Sequence, residues 1–150
     1  MPTKPWEYLA VDYLGPLPSG DHLLVIVDYF SCYKEVYFTK STTTTITIKF
    51  LKRLFAIFGF PERVKSDNGT NLVSKEMMDC EEYGVDPITT PAEWPRANGE
   101  VERQNQSLLK RLKIAQLEGK DLEYELIHYL LCYRSTCLLY TLTLPTIYSV

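Results

Sequence analysis

The chain lacks the patterns that build metal knots, secretory staples and membrane spans. Its four cysteines are Cys32, Cys80, Cys132 and Cys137, and no two of them form a Cys-x-x-Cys pair. The two histidines, His22 and His128, lie far apart. His128, Cys132 and Cys137 supply only three ligands, short of a closed zinc site, so zinc is not expected. The start, MPTKPWEYLAVDYLGP, has no apolar stretch ending in small residues, so no secretory signal is read there. Thiols in a reducing compartment are the expectation. No apolar run approaches the roughly 18 residues that mark a membrane span. An excess of positive charge is also missing. Sixteen Lys and Arg face 19 Asp and Glu, so the overall charge of -3 gives no support to nucleic-acid binding.

What is present suits an ordinary folded domain. A length of 150 residues with 45% hydrophobic and 23% charged residues can bury one real core. Charge is uneven along it. Between Pro95 and Lys120 stand six cations (Arg96, Arg103, Lys110, Arg111, Lys113, Lys120) against three glutamates.

Three strands are expected first: Trp6 to Leu14, Leu23 to Phe30, and Lys34 to Thr39 as a hairpin partner of the second. A helix should begin at Ser41 or Thr42, with Ile46, Phe50, Leu54 and Ile57 as one apolar row that Leu51, Phe55 and Phe58 widen, and stop at Gly59 and Pro61. A very short strand over 63–66 leads to the turn Asp67-Asn68-Gly69. Ser74 should cap a short helix to about Tyr83, and Val85 to Thr90 reads as a strand. Pro91 to Gly99 reads as a loop feeding a helix to about Leu117, and Asp121 caps a last helix to about Arg134. Three leading strands fit an antiparallel meander, and the later alternation fits parallel additions to the same sheet. The expectation is one α/β domain over residues 1–136, followed by a divergent apolar tail over 137–150.

The segment PRANGEVERQNQSLLKRLK carries the most information. At about 100° per residue, Val101, Asn105, Leu108, Leu112 and Ala115 form a core stripe. Glu102 would stand in the first turn, beside a basic face carrying Arg103, Lys110 and Lys113. Two other acids stand at element ends: Asp12, in LAVDYLGP, and Asp67, in VKSDNGTN. Carboxylates at strand ends can converge on one sheet edge, and a helix can bring a third. Their mutual repulsion is relieved by hard divalent cations, which can activate a nucleophile in phosphodiester chemistry. Spacing alone leaves Asp28 as good a buried acid as Asp12, and Glu100 as close to the loop as Glu102.

A resemblance selects among them. The stretches VDYLGPLPSGDHLLVIVDYFSCYKEV, KFLKRLFAIFGFPERVKSDNGTN, TTPAEWPRANGEVERQNQSLLKRLKIAQLEGKD and YLLCYRST follow in consistent order over residues 5 to about 136. They resemble the catalytic core of retroviral-type integrases, specifically those of gypsy-type long-terminal-repeat retrotransposons. The resemblance implies a ribonuclease-H-like fold with a mixed five-stranded sheet flanked by helices. It implies a magnesium or manganese site on Asp12, Asp67 and Glu102, with Asn68, Gly69, Asn98, Gly99 and Asn105 supporting it. Asp28 falls on a position the family does not use in catalysis. The implied reaction is 3′-end processing of the element's DNA and strand transfer into target DNA, in the nucleus, by a homodimer or higher oligomer. Arg103, Lys110 and Lys113 would contact phosphates, and the loop from Ala92 to Gly99 would flex over the DNA end. The family's upstream His/Cys zinc module is absent from this chain. The interval of 34 residues between Asp67 and Glu102 is one shorter than the family's usual one. A non-catalytic nucleic-acid-binding or dimerisation module built on the same fold is the alternative.

Overall fold

The computed structural model describes residues 2–66, 86–88 and 95–141, with 44, 66, 86–88, 95–98 and 137–141 described by backbone alone. The strands are β1 (Tyr8–Leu14), β2 (His22–Asp28), β3 (Lys34–Thr39), β4 (Arg63–Ser66) and β5 (Asp86–Ile88). The helices are α1 (Thr44–Phe58), α2 (Pro95–Leu117) and α3 (Leu122–Thr141). One sheet runs in the order β3-β2-β1-β4-β5. The first three strands form the antiparallel meander, and β4 and β5 add in parallel beside β1. The sheet is mixed as expected, and β1 is its central strand.

Strand alternation sorts the side chains onto two faces. Leu9, Val11, Leu24, Ile26 and Val64 point to one face and pack with Ile48, Leu51, Leu54 and Phe55 of α1. Leu14, Leu23, Val25, Val27 and Val36 point to the other and pack with Leu108 and Leu112 of α2 and Leu126 of α3. Because both faces are covered, β2 reads as a continuous apolar run and not as an alternation.

Three helix boundaries and one helix face differ from the sequence expectation. In α1 the buried row is Ile48, Leu51, Leu54 and Phe55, whereas Ile57 is 70% exposed. This helix starts at Thr44, later than Ser41 or Thr42, with Thr43 as its extended N-cap residue. It ends where Gly59, at φ 85°, turns its N–H back to Phe55 O at 2.8 Å. The second difference is α2, which opens at Pro95 and not after Gly99. Proline suits a first helical turn because its missing N–H has no partner there. Glu102 therefore sits about two turns into the helix, at roughly 3.6 residues per turn, and not in the first turn. Residues 95–99, expected within a flexing loop, are helical; the helix expected from Ser74 and the rest of that loop lie outside the described residues. The last helix continues past Arg134 and past the expected boundary at Thr136, to Thr141.

Candidate active site

Asp12 lies on central strand β1 opposite Val25 of β2. Val25 and Leu14 belong to the α2-side core, so the pleat aims Asp12 at α2. Asp28 lies opposite Leu9, on the α1 side of the sheet. It is 2% exposed and closes its own turn, accepting hydrogen bonds from Phe30 N, Ser31 N and Ser31 Oγ. The two aspartates that spacing could not separate are thus on opposite faces.

The α2 stripe falls as its periodicity predicts. Asn105, Leu108, Leu112 and Ala115 are buried, and Val101 is half-buried against the same core. Seating that stripe brings Glu102 to the side of the helix that faces the β1 end. Asp12 and Glu102 line one cleft of about 80 Å³, together with Tyr29, Lys65, Asn105, Ala10, Val11 and Val101. The Tyr29 phenol records the same convergence. Its pKa is pushed up to about 12, first by burial, then by the charge of Glu102 and then by that of Asp12. Glu100 instead accepts from Arg103 at 3.1 Å and Gln104 at 2.9 Å on the exposed side of the helix.

Asn105 is 2% exposed, and its Oδ1 finds no hydrogen-bond partner among the described residues. A buried acceptor left open costs about 1–3 kcal/mol, so its retention at a cleft points to a ligand or water that donates to it. The oxygens of Asp12 and Glu102, with this amide oxygen beside them, are all hard donors. That set suits magnesium or manganese and does not suit zinc. Among the described residues no three His, Cys, Asp or Glu side chains cluster as a metal site. Asp67, the expected third carboxylate, lies outside the described residues with Asn68 and Gly69. Its neighbour Ser66 ends β4 opposite Val11, one residue before Asp12.

The other expected site residues are spread out. The backbone at Asn98 and Gly99 is helical, and open space surrounds Gly99. Arg103 is ion-paired with Glu100, at 77% and 52% side-chain exposure. Lys113 is exposed on α2. Lys110 lines a separate groove with Ser107, Arg111, Ile114 and Lys120, where Arg111 meets Glu125 at 3.6 Å and Lys120 meets Glu118 at 2.9 Å. None of the three expected phosphate contacts lines the Asp12–Glu102 cleft.

Sequence reading missed two residues of that cleft, Tyr29 and Lys65. Lys65 pairs with Ala10, which shares the face of Asp12. Tyr29 follows β2, with its N–H bonded to Tyr8 O at 3.0 Å. The alternation that places Val27 on the α2 side continues to Tyr29. Both signals need the strand register, which spacing within one strand does not provide.

Comparison with known proteins agrees with the fold. The family model described as Integrase core domain matches residues 2–95. An uncharacterised protein of Caenorhabditis elegans is 36% identical over 137 residues, 91% of this chain and 11% of its own length. The Pro-Pol polyprotein of feline foamy virus is 35% identical over 127 residues, 82% of this chain and 11% of its own length. The chain thus spans about a tenth of the curated relatives it matches. Among solved structures, a simian T-cell lymphotropic virus intasome chain superposes with a TM-score of 0.69 at 25% identity, covering 84% of this chain and 47% of that one. The HTLV-2 integrase catalytic core domain in complex with magnesium superposes at 0.67 and 24% identity, over 85% of this chain and 84% of that one, a likeness of fold. The chain belongs to the integrase core domain family, with the ribonuclease-H-like fold of the retroviral-type integrase catalytic core.

Proposed function

We propose that the chain is a retrotransposon-derived integrase catalytic core, a metal-dependent polynucleotidyl transferase for 3′-end processing of DNA and strand transfer. The observation that carries this reading is the arrival of Asp12, from the central strand, and Glu102, from α2, at one cleft beside the open Oδ1 of Asn105. Asp12, Asp67 and Glu102 would hold the ions. Magnesium or manganese bound there would activate the attacking oxygen and stabilise the leaving one. The related HTLV-2 core was solved with magnesium, which supports the same choice of ion. Asp12 is held by the sheet and Glu102 by the buried stripe of α2, so the two carboxylates are brought together by folding. Asn105 Oδ1 would accept a hydrogen bond from a water in the cleft. Arg103, Lys110 and Lys113 would hold DNA phosphates along α2, and the active assembly would be a dimer or larger, in the nucleus.

The test is nicking and strand transfer on labelled duplex ends with magnesium or manganese, repeated with Asp12→Asn, Asp67→Asn and Glu102→Gln. Each variant should lose at least about 99% of the activity, as expected when a charge-stabilising group is removed from the reacting centre. Activity equal to wild type in any variant removes that residue from the assignment. The interval between Asp67 and Glu102, one residue short of the family's usual one, favours a second reading: a DNA-binding or dimerising module without catalysis. DNA binding that no divalent ion affects, in a folded wild-type chain without activity, would select it.

A further inference from the structure

We propose that His128 and Cys132, side by side on the exposed face of α3, form a two-ligand site for a borderline divalent cation of the zinc class. The site is separate from the carboxylate cleft. Residues four apart on a helix stand one above the other, so α3 carries both side chains on one face. Nε2 of His128 lies 3.9 Å from Sγ of Cys132, and both residues are exposed. A tetrahedral zinc ion, with bonds of about 2.0–2.1 Å to nitrogen and about 2.3 Å to sulfur, holds two such atoms roughly 3.6 Å apart. A side-chain shift of about 0.3 Å therefore closes the chelate. Among the described residues neither side chain has another hydrogen bond or ion pair, so capture of an ion breaks no existing contact. Cys132 is a free thiol, and imidazole with thiolate is a donor set that selects zinc over magnesium. Position 137, the third ligand considered from sequence, is five residues beyond Cys132 on the same helix. At about 100° per residue it lies about 140° round the axis, off this face. Two protein donors leave two positions of the ion to water or an incoming ligand, which is an open site and not a closed structural one. On binding, the Cys132 thiol gives its proton to solvent and neutral His128 donates its Nε2 lone pair.

The probe is cobalt(II) chloride, titrated into the full chain with its thiols reduced and with magnesium in excess to saturate oxygen-donor sites. Thiolate ligation is read as a charge-transfer band in the near ultraviolet. Wild type should develop this band, and zinc chloride should abolish it where further magnesium does not. Cys132→Ser should lose the band, and His128→Gln should bind cobalt roughly tenfold more weakly or worse, as expected when a ligand is removed. Cys137→Ser should behave as wild type. His128 and Cys132 are exposed, so the metal-free thermal melts of His128→Gln and Cys132→Ser should stay near that of wild type. No band in folded wild type overturns the site. A band that persists in Cys132→Ser assigns the ion to another thiol and overturns it too. Unchanged affinity in His128→Gln leaves a thiol acting alone, and loss of the band in Cys137→Ser moves the site elsewhere; either result removes the pair. No outcome depends on DNA or turnover, so the site stands or falls apart from the proposed integration chemistry.

Discussion

Asp12 and Asp28 are both aspartates near the ends of apolar strands, and their surroundings give them opposite tasks. Asp28 closes the β2–β3 turn with three accepted hydrogen bonds. Asp28→Asn should cost about 1–3 kcal/mol in urea unfolding, because donors arranged for a carboxylate lose charge assistance. Asp12→Asn should remove metal-dependent activity. Reversal of these two outcomes would sink the assignment of faces. Glu7 adds a pH dependence. Its carboxylate accepts from Thr3 N at 2.7 Å, Thr3 Oγ1 at 3.1 Å and Lys4 N at 3.2 Å. The Thr3 N–H above all holds its pKa below the ordinary carboxylate value. The unfolded carboxyl, near about 4.3, binds a proton first as pH falls. The stabilisation is therefore complete above that value and lost as pH drops through the folded pKa. Glu7→Gln should flatten the acid limb of stability, measured as the urea midpoint from about pH 6 down to about pH 3. An acid limb as steep as in wild type would exclude Glu7 as its source.

At the scale of elements, α2 is the lever that sets the site, and its anchors are the fully buried Leu108 and Leu112. Leu108→Ala should cost about 2–5 kcal/mol, seen as a lower denaturant midpoint at unchanged slope. A loss under about 1 kcal/mol would mean that α2 is not seated on the sheet by this stripe. The stripe was readable from sequence because five residues repeat at helical spacing on an otherwise polar helix. The start of α2 was not. Asn98-Gly99 has the composition of a turn, and one interior Gly costs a helix only about 1 kcal/mol, which a seated stripe outweighs. The face of α1 was misread for a related reason. Leu51, Leu54 and Phe55 are covered as expected, but the apolar residues support two overlapping rows, and only the sheet decides that Ile48 is covered while Ile57 is not. The β3–α3 contact was hidden too. Lys34 is fully buried with its ammonium 4.6 Å from the Tyr133 ring centre, and Arg134 donates to Lys34 O at 2.8 Å and to Glu35 at 3.0 Å. A lysine at the head of a strand reads as solvated until the helix that covers it is known.

For the whole molecule, the net charge of -3 and the basic segment of α2 make opposite claims about DNA. Phosphates respond to local potential within roughly 8–10 Å at physiological salt, so the placement of cations outweighs the sum. Lys113 lies eleven residues beyond Glu102, close to a whole number of helical turns, and so continues the Glu102 side of α2 about 16 Å further along the axis. Lys110 lies about 80° round from that line and opens toward its own groove. Arg103 is already engaged by Glu100. On the proposed function, a duplex with its scissile phosphate at the cleft would meet Lys113 in line and Lys110 at the flank, while Arg103 would first give up a partner. Binding to a short duplex, followed across about 50–200 mM salt, should show a slope of log affinity against log salt that falls by about 0.9 in Lys113→Ala. Lys110→Ala should lower it by a similar or smaller amount, and Arg103→Ala least, each uniformly across duplex sequences. An unchanged slope in both lysine variants would place the duplex away from α2, and the basic segment would then be a solvated face.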